Sequence, residues 1–363
     1  RTALEDEGGQ VRALDLVPAE GGPAPAHAPG QFLTVWLQVP DPESGTPETI
    51  TRCYTIACGP RRGGATEAGY RISVKRMPAP ADVPDAPAGR ASTHIHDRLQ
   101  AGDVIDTAAP QGRFTLDPAA DAPVVLIGGG IGVTPMLAML EAIADANPAR
   151  EVWFLHAART PADFVRRDAL RALARDHSNL HVMLVAEQPR PGDVEGRDYD
   201  ATGRVDVRFL RLTLPLRLFD FYVCGPPAMM ESLIPGLLEW GVPKHHIHFE
   251  AFGPASLPAE LFDADTAETA DPAVPDGDLE ARSVTFARSR HTIAFDGARS
   301  LLDLAERQGI RVNAMCRAGC CGACQTPIRD GEAEHIRAPD VTPAPGHVLL
   351  CLGRPRTDLV LDA

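Results

Sequence analysis

Up to residue 116, apolar and polar positions alternate over short runs separated by glycine, proline and polar residues. Phe32–Val39, Arg52–Ala57, Tyr70–Lys75 and Val104–Thr107 each read as a strand with one buried face. The Pro-rich stretch Met77–Pro87 reads as loop and Ser92–Leu99 as a helix. Many short strands with one helix predict a small antiparallel β-barrel over residues 1–116.

From residue 117 the rhythm changes to buried strands alternating with helices. Val124–Ile127, Glu151–His156, Leu180–Ala186, Phe219–Val223 and Ile247–Phe249 read as strands. Pro135–Ala146 and Ala228–Trp240 read as helices, and Thr160 is expected to cap a third that begins at Pro161 and runs towards Ala174. That alternation predicts an α/β doubly wound parallel sheet over 117–253.

No basic residue occurs between Lys244 and Arg282, and acids and prolines dominate the stretch. Residues 254–281 therefore read as a linker, stiffened by proline and extended by charge repulsion. Residues 282–363 form a third domain with strands at Ser283–Ala287, Thr292–Phe295, Cys324–Ile328 and Val348–Cys351. Its helix is opened by Ser300-x-x-Asp303. No internal repeat is present, and no run of about 18 apolar residues, so no membrane span is expected.

Composition narrows the function. The 363 residues carry 35 Lys+Arg against 49 Asp+Glu, a net charge of -14, which opposes nucleic-acid backbones and anionic membranes. Of the basic residues only Lys75 and Lys244 are lysines, an arginine bias that with 34 prolines reflects codon composition. Residues 282–363 have a net charge of +2 and residues 1–281 one of -16, so Arg311 and Arg317, close to the cysteines, are expected to meet an acidic partner.

Eight cysteines are too few for a disulfide scaffold, and four fall together: Cys316, Cys320, Cys321 and Cys324. Such clustering points to thiolates on a metal in a reducing compartment, the cytoplasm. Cys316-x4-Cys321-x2-Cys324 with the distant Cys351 has the spacing of a plant-type 2Fe–2S site, in which Cys320 is not a ligand. Gly319, Gly322 and Ala323 leave room for backbone N–H groups near its sulfurs. A structural zinc site usually has two C-x2-C pairs, and here there is one.

Four further motifs carry chemistry. Gly128-Gly129-Gly130-Ile131-Gly132-Val133-Thr134-Pro135-Met136 lies between a buried strand and a helix, where glycines admit a pyrophosphate to the helix N-terminus. Arg52-Cys53-Tyr54-Thr55 offers a phosphate partner, a flat face for an isoalloxazine and a hydroxyl, and Gly89-Arg90-Ala91-Ser92 opens a helix towards a second phosphate. Cys224-Gly225-Pro226-Pro227-Ala228-Met229 ends a strand where ligands of open α/β sheets bind, and its thiol is a candidate to face a nicotinamide. His94-x-His96 and His245-His246-x-His248 lack Cys or acidic partners at ligand spacing and read as surface or packing residues.

In this order the motifs resemble the ferredoxin–NADP reductase superfamily with a plant-type ferredoxin at the C-terminus, as in the oxygenase reductases of the phthalate dioxygenase reductase type. The resemblance runs through Arg-x-Tyr-Thr at 52–55, Ile72–Arg76, Gly-x-x-Ser at 89–92, the 128–136 loop, Cys224–Met229, His248–Gly253 and the cluster cysteines. It implies a multidomain chain: an antiparallel β-barrel flavin domain, an α/β doubly wound nucleotide domain and a β-grasp ferredoxin domain.

By the same resemblance, Arg52 contacts flavin phosphate, Tyr54 stacks on the ring and Thr55 approaches N5, with Ile72, Val74 and Lys75 alongside. Gly89, Ala91 and Ser92 flank the flavin phosphates. Gly129, Gly130, Gly132, Val133 and Thr134 hold the dinucleotide, with Arg159 at its adenosine end and Cys224, Gly225, Pro226 and Met229 at its nicotinamide end. Glu250 and Phe252 lie near the flavin; Thr55, Cys224 and Glu250 are the candidate catalytic residues, and Cys316, Cys321, Cys324 and Cys351 the metal ligands.

The implied cofactors are FAD (alternatively FMN), NADH (alternatively NADPH) and a 2Fe–2S cluster. A flavin is the cofactor that takes a hydride's two electrons and releases them singly. The expected partner is an electron-acceptor protein, the oxygenase component of an aromatic hydroxylase or of a haem-thiolate monooxygenase. An upstream domain of the same polypeptide is the variant, since the sequence starts at Arg1. The competing readings are a zinc-stabilised flavin reductase and a redox-sensing binding module.

Overall fold

A computed structural model describes residues 2–8, 10–42, 44–60, 69–79, 87–252, 282–296, 298, 300–310, 312–314, 319, 321–336, 338–339 and 341–363. The chain folds as two compact units, Arg1–Ala264 and Asp265–Ala363.

The first unit opens with two small antiparallel sheets. β1 (Thr2–Gly8), β2 (Val11–Leu16) and β5 (Tyr70–Lys75) form one, and β4 (Pro47–Thr55), β3 (Phe32–Pro40) and β6 (Asp106–Thr107) the other. A bridge between Ile56 and Ile72 ties them together. The inward positions Leu14, Leu33, Val35, Ile72 and Val74 share one core with Ile95 of helix α1 (Arg90–Asp97). The barrel-like arrangement expected from the alternating pattern is there. The β1 strand was not legible, because Thr-Ala-Leu-Glu-Asp-Glu-Gly has no apolar stripe.

The second half of this unit is a six-stranded parallel sheet. It comprises β7 (Val124–Gly129), β8 (Val152–Ala158), β9 (Leu180–Ala186), β10 (Ala201–Thr202), β11 (Asp220–Gly225) and β12 (Ile247–Ala251), in the order β10-β9-β8-β7-β11-β12. Both faces are covered, so the strands read as continuous apolar runs. Val124 and Leu126 pack with α2 (Val133–Ala146) and with Leu170 of α3 (Arg167–Asp176). Val125 and Ile127 pack on the other face with α4 (Val207–Thr213) and α5 (Pro227–Glu239). Strand order reverses between β7 and β11, which opens a crevice at their C-terminal ends.

The helix expected from Pro161 does not form as one piece. A single turn, Pro161–Asp163, is closed by the Asp163 carboxylate, which accepts from the Thr160 N–H (3.1 Å) and hydroxyl (2.7 Å). Phe164 and Val165 then leave helical geometry to bury in the core, 3% and 1% exposed. Arg166 takes a left-handed φ of 54°, pairing with Glu141 at 2.7 Å, before α3 starts at Arg167. Burial of two apolar side chains outweighs the capping signal.

The second unit is a mixed five-stranded sheet, β14-β13-β19-β15-β17, with a separate β16–β18 pair. Its strands are β13 (Ser283–Phe286), β14 (His291–Ala294), β15 (Gln325–Asp330), β16 (Ala333–His335), β17 (His347–Leu349), β18 (Gly353–Pro355) and β19 (Leu359–Leu361). Helix α6 (Leu301–Arg307) is capped as expected, Ser300 Oγ accepting from Asp303 N–H at 3.2 Å. It buries Leu301, Leu302, Leu304 and Ala305 against the sheet core, the sheet-and-helix layout of a β-grasp. The linker expected at 254–281 lies outside the described residues.

Candidate functional site

The crevice at the strand-order reversal is built from glycines that nothing larger fits. A Cβ on Gly128 would lie 2.5 Å from Val133 Cα; on Gly129, 2.7 Å from Met229 Sδ and Pro226 Cδ; on Gly132, 2.5 Å from the Cys224 carbonyl oxygen. The loop after β7 and the end of β11 are thus in direct backbone contact. Gly130 faces open space with a left-handed φ of 53° and starts the turn Gly130–Gly132 that feeds α2. Val133 and Thr134 are buried, and the Thr134 hydroxyl donates to Ile131 O at 3.1 Å, so what this loop offers a ligand is backbone.

Cys224 pairs in register with Gly128 on one side and Glu250 on the other. Its thiol is fully buried; burial, reinforced by the Glu250 carboxylate, pushes its pKa well up and keeps it neutral. Gly225 is buried, Pro226 exposed, and Phe252 beyond β12 is 36% exposed.

His156, read in the sequence only as the end of a strand, stands beside this loop. It is fully buried, in register with Gly128, and its Nε2 lies 3.3 Å from the Gly130 carbonyl oxygen. Burial drives its pKa down to about 4, with Lys75 also lowering it and Asp163 opposing. Lys75 ends β5, so the barrel's fifth strand runs up to the glycine loop. Arg159, further along the chain, is exposed and donates from Nε to Gln188 Oε1 at 3.4 Å.

On the barrel, Arg52 donates to the Thr51 carbonyl oxygen at 2.7 Å, Thr55 is buried, and partial burial raises the Tyr54 hydroxyl to about 12. Ile72 and Val74 are core residues, leaving their backbone for any ligand. Ser92 is committed internally: its Oγ accepts from Met77 N–H at 3.1 Å and donates to Gly89 O at 2.9 Å. That hydroxyl is therefore taken, and what the start of α1 has left to offer an anion is the N–H groups of its first turn, around Arg90, Ala91 and Ser92.

In the second unit Cys324 and Cys351 are buried with sulfurs 3.3 Å apart, and Cys321 is half-buried. Gly319 (φ 76°) and Gly322 (φ 69°) take left-handed conformations beside them, and a Cβ on Gly319 would lie 2.2 Å from Leu352 Cδ1. Cys316 lies outside the described residues, and among the described ones no three His, Cys, Asp or Glu side chains gather as a metal site. Two adjacent buried thiols, one at the end of a loop with two left-handed glycines and one just after β17, fit sulfur ligation of an iron–sulfur group. The histidine pairs singled out in the sequence have partners of their own: His246 binds Asp220 at 2.6 Å, His96 binds Val74 O at 2.8 Å and His248 stacks on Tyr222.

Comparison with known proteins matches this geometry. Residues 126–233 match the oxidoreductase NAD-binding domain family, and residues 284–356 the 2Fe–2S iron–sulfur cluster binding domain family. The chain therefore carries an oxidoreductase NAD-binding domain followed by a 2Fe–2S cluster-binding domain. The chain is 42% identical over 246 residues to a flavohemoprotein of Rhodopirellula baltica, covering 67% of the chain and 57% of that protein. The chain thus spans less than three-fifths of that relative.

Among solved structures, the flavohem-like FAD/NAD-binding domain of a Vibrio cholerae nitric oxide dioxygenase aligns at 29% identity and a TM-score of 0.59. It covers 69% of this chain and 96% of that domain. Phthalate dioxygenase reductase aligns at 24% identity and a TM-score of 0.54 over 99% of this chain and 96% of its own. The second likeness shows that fold and domain order run in parallel from end to end. No helix among the described residues is long and apolar enough to cross a membrane.

Proposed function

We propose that this reductase carries electrons from NADH through a flavin to a 2Fe–2S centre and on to an oxygenase-type acceptor, separate or fused. The observation that carries it is the approach of the barrel strand β5, ending at Lys75, to the dinucleotide loop at Gly130–Gly132. A ligand on the barrel and one on the glycine loop then meet at the Cys224 end of β11. Residues 1–116 are the flavin domain, 117–253 the NAD(P)H domain, 254–281 the linker and 282–363 the ferredoxin domain.

The chain's own groups divide the work. Arg52, Tyr54 and the first turn of α1 hold the flavin, Thr55 approaches its ring, and the glycine loop with Cys224, Gly225, Pro226 and Met229 orients the dinucleotide. Cys224 shapes the nicotinamide end as a neutral, buried wall, and Glu250 beside it supplies the nearest carboxylate. Bound flavin supplies the conversion of a two-electron hydride into single electrons. Cys316, Cys321, Cys324 and Cys351 hold the cluster.

FAD over FMN is supported by the Vibrio cholerae domain, whose description names FAD and NAD. The clustered thiols support a reducing compartment, the cytoplasm. The deciding experiment is an anaerobic absorption titration with NADH, then NADPH, on protein with quantified flavin, iron and zinc. Uptake of about three electrons per chain, two in the flavin band and one in the cluster band, is expected. Flavin bleaching with zinc in place of iron would reduce the protein to a flavin reductase. No bleaching with either nucleotide would leave the sensing module.

A further inference from the structure

We propose that His156 is a positioning residue for the dinucleotide, its Nε2–H holding the Gly130 carbonyl so that the Ile131 N–H faces the ligand. The inference rests on the reading of the glycine loop as the NAD(P)H site. A carbonyl oxygen only accepts, so at 3.3 Å the Nε2 of the buried ring carries the proton and Nδ1 the lone pair. The same Gly130 oxygen accepts from Val133 N–H, so both of its lone pairs are directed inward. No peptide bond among the described residues is cis, and in a trans peptide C=O and N–H point in opposite directions. With Gly130 O drawn towards the ring, the Ile131 N–H points out of the core, at the first turn of a helix entry where anions bind.

Gly130 needs such an anchor. Its left-handed φ of 53° lies in open space, with nothing within 4 Å of where a Cβ would stand, so the Val133 N–H and the His156 ring, not packing, hold its peptide. The ring is also a costly residue for packing alone. Its Nδ1 is buried without a hydrogen-bond partner among the described residues, while Phe164, edge-on at 5.2 Å, shows that an apolar aromatic suits the surroundings. What the histidine adds over phenylalanine is the Nε2–H.

The test compares the holoprotein with His156→Phe and His156→Gln. Calorimetry with NAD+ on the oxidised protein gives Kd, and ferricyanide reduction gives KM for NADH and kcat. His156→Phe is expected to raise Kd and KM about ten-fold and to leave kcat within about two-fold, while His156→Gln, which retains an N–H donor, recovers most of the affinity. A folded His156→Phe with unchanged Kd overturns the proposal, as does a glutamine variant no better than phenylalanine. If His156→Phe yields no folded holoprotein, His156→Met stands in for it under the same criteria, and failure of both apolar variants to fold overturns it too, since the core itself then needs the ring. Wild-type protein that binds no NAD+ would sink the reading of the site, a separate result.

Discussion

Cys224 and Glu250 sit opposite each other in register on the parallel strands β11 and β12, with Gly128 on the far side of Cys224. The pairing puts a carboxylate beside a fully buried thiol, and both effects hold the proton on sulfur. Iodoacetamide at pH 8 is therefore expected to label half-buried Cys53 and Cys58 well before Cys224. Labelling of Cys224 only after denaturant, read by peptide mass spectrometry, would bear this out. Native-state labelling would show an accessible thiolate instead.

Gly132 and Gly130 predict different outcomes for the same substitution. Gly132→Ala drives a methyl to 2.5 Å from the Cys224 carbonyl, so β11 must shift, at a cost of about 1–3 kcal/mol and a loss of NAD+ affinity. Gly130→Ala meets no atom, and its cost is the left-handed backbone, about 1 kcal/mol. Gly130→Asn should be milder still, because asparagine tolerates that region. Melting curves of the three variants decide the order.

His156 makes stability fall in acid. Its folded pKa of about 4 lies below the ordinary histidine value, so the unfolded chain takes up the proton first. The contribution is present above about pH 6.5 and is lost as pH falls towards 4, up to ~3 kcal/mol in all. Lys75 and Asp163 are the charged groups acting on it, with opposite signs. Urea unfolding between pH 7 and 4.5 should show this slope in wild type and a shallower one in His156→Phe. An unchanged slope would place the acid sensitivity elsewhere.

Arg71 is the counter-charge of an acidic cluster on the β1–β2–β5 sheet. It binds Asp15 with two 2.8 Å contacts and reaches Glu5 at 2.9 Å and Glu7 at 3.3 Å. Glu7 is buried and its pKa is raised, chiefly by burial. Arg71→Ala leaves the buried Glu7 carboxylate to Ser73 and Arg166 and strips Asp15 and Glu5 of their partner, an expected loss of about 1–3 kcal/mol at pH 7.5. A raised carboxyl loses stability as pH rises through its folded value, so the variant should recover part of the loss at pH 5. A variant equally unstable at both pH values would argue against Glu7 as the cause.

What was legible in the sequence was whatever left a local pattern. The apolar runs at Val124–Ile127 and Leu180–Ala186 showed their strands because both faces are buried, and Ser300-x-x-Asp303 showed its cap because the bond is local. The acidic strand Thr2–Gly8 and the two-residue strand β10 left no such trace, since pairing with β2 and β9, not a stripe of their own, makes them. The same limit applies in the site. Glycines and cysteines carry their chemistry in their spacing, but the meeting of His156 with Gly130 and the engagement of Ser92 by Met77 and Gly89 exist only after folding. Thr160 erred the other way: a sound local cap lost to the burial of Phe164 and Val165.

The cluster register is the remaining choice, and it turns on adjacent cysteines. Cys324 and Cys351 have their sulfurs 3.3 Å apart, so Cys324→Ser removes half of a formed pair. It is expected to abolish the 2Fe–2S absorption bands and cytochrome c reduction, while NADH still reduces the flavin and ferricyanide at near wild-type rates. Cys321→Ser should behave alike and Cys320→Ser should keep its cluster, because C-x4-C-x2-C uses Cys321. A Cys320→Ser protein without iron beside a Cys321→Ser protein with it would shift the ligand by one residue and replace the plant-type spacing with C-x3-C-x3-C. Ferricyanide activity lost together with the cluster would instead mean that the ferredoxin domain is needed for the flavin half of the chain to work.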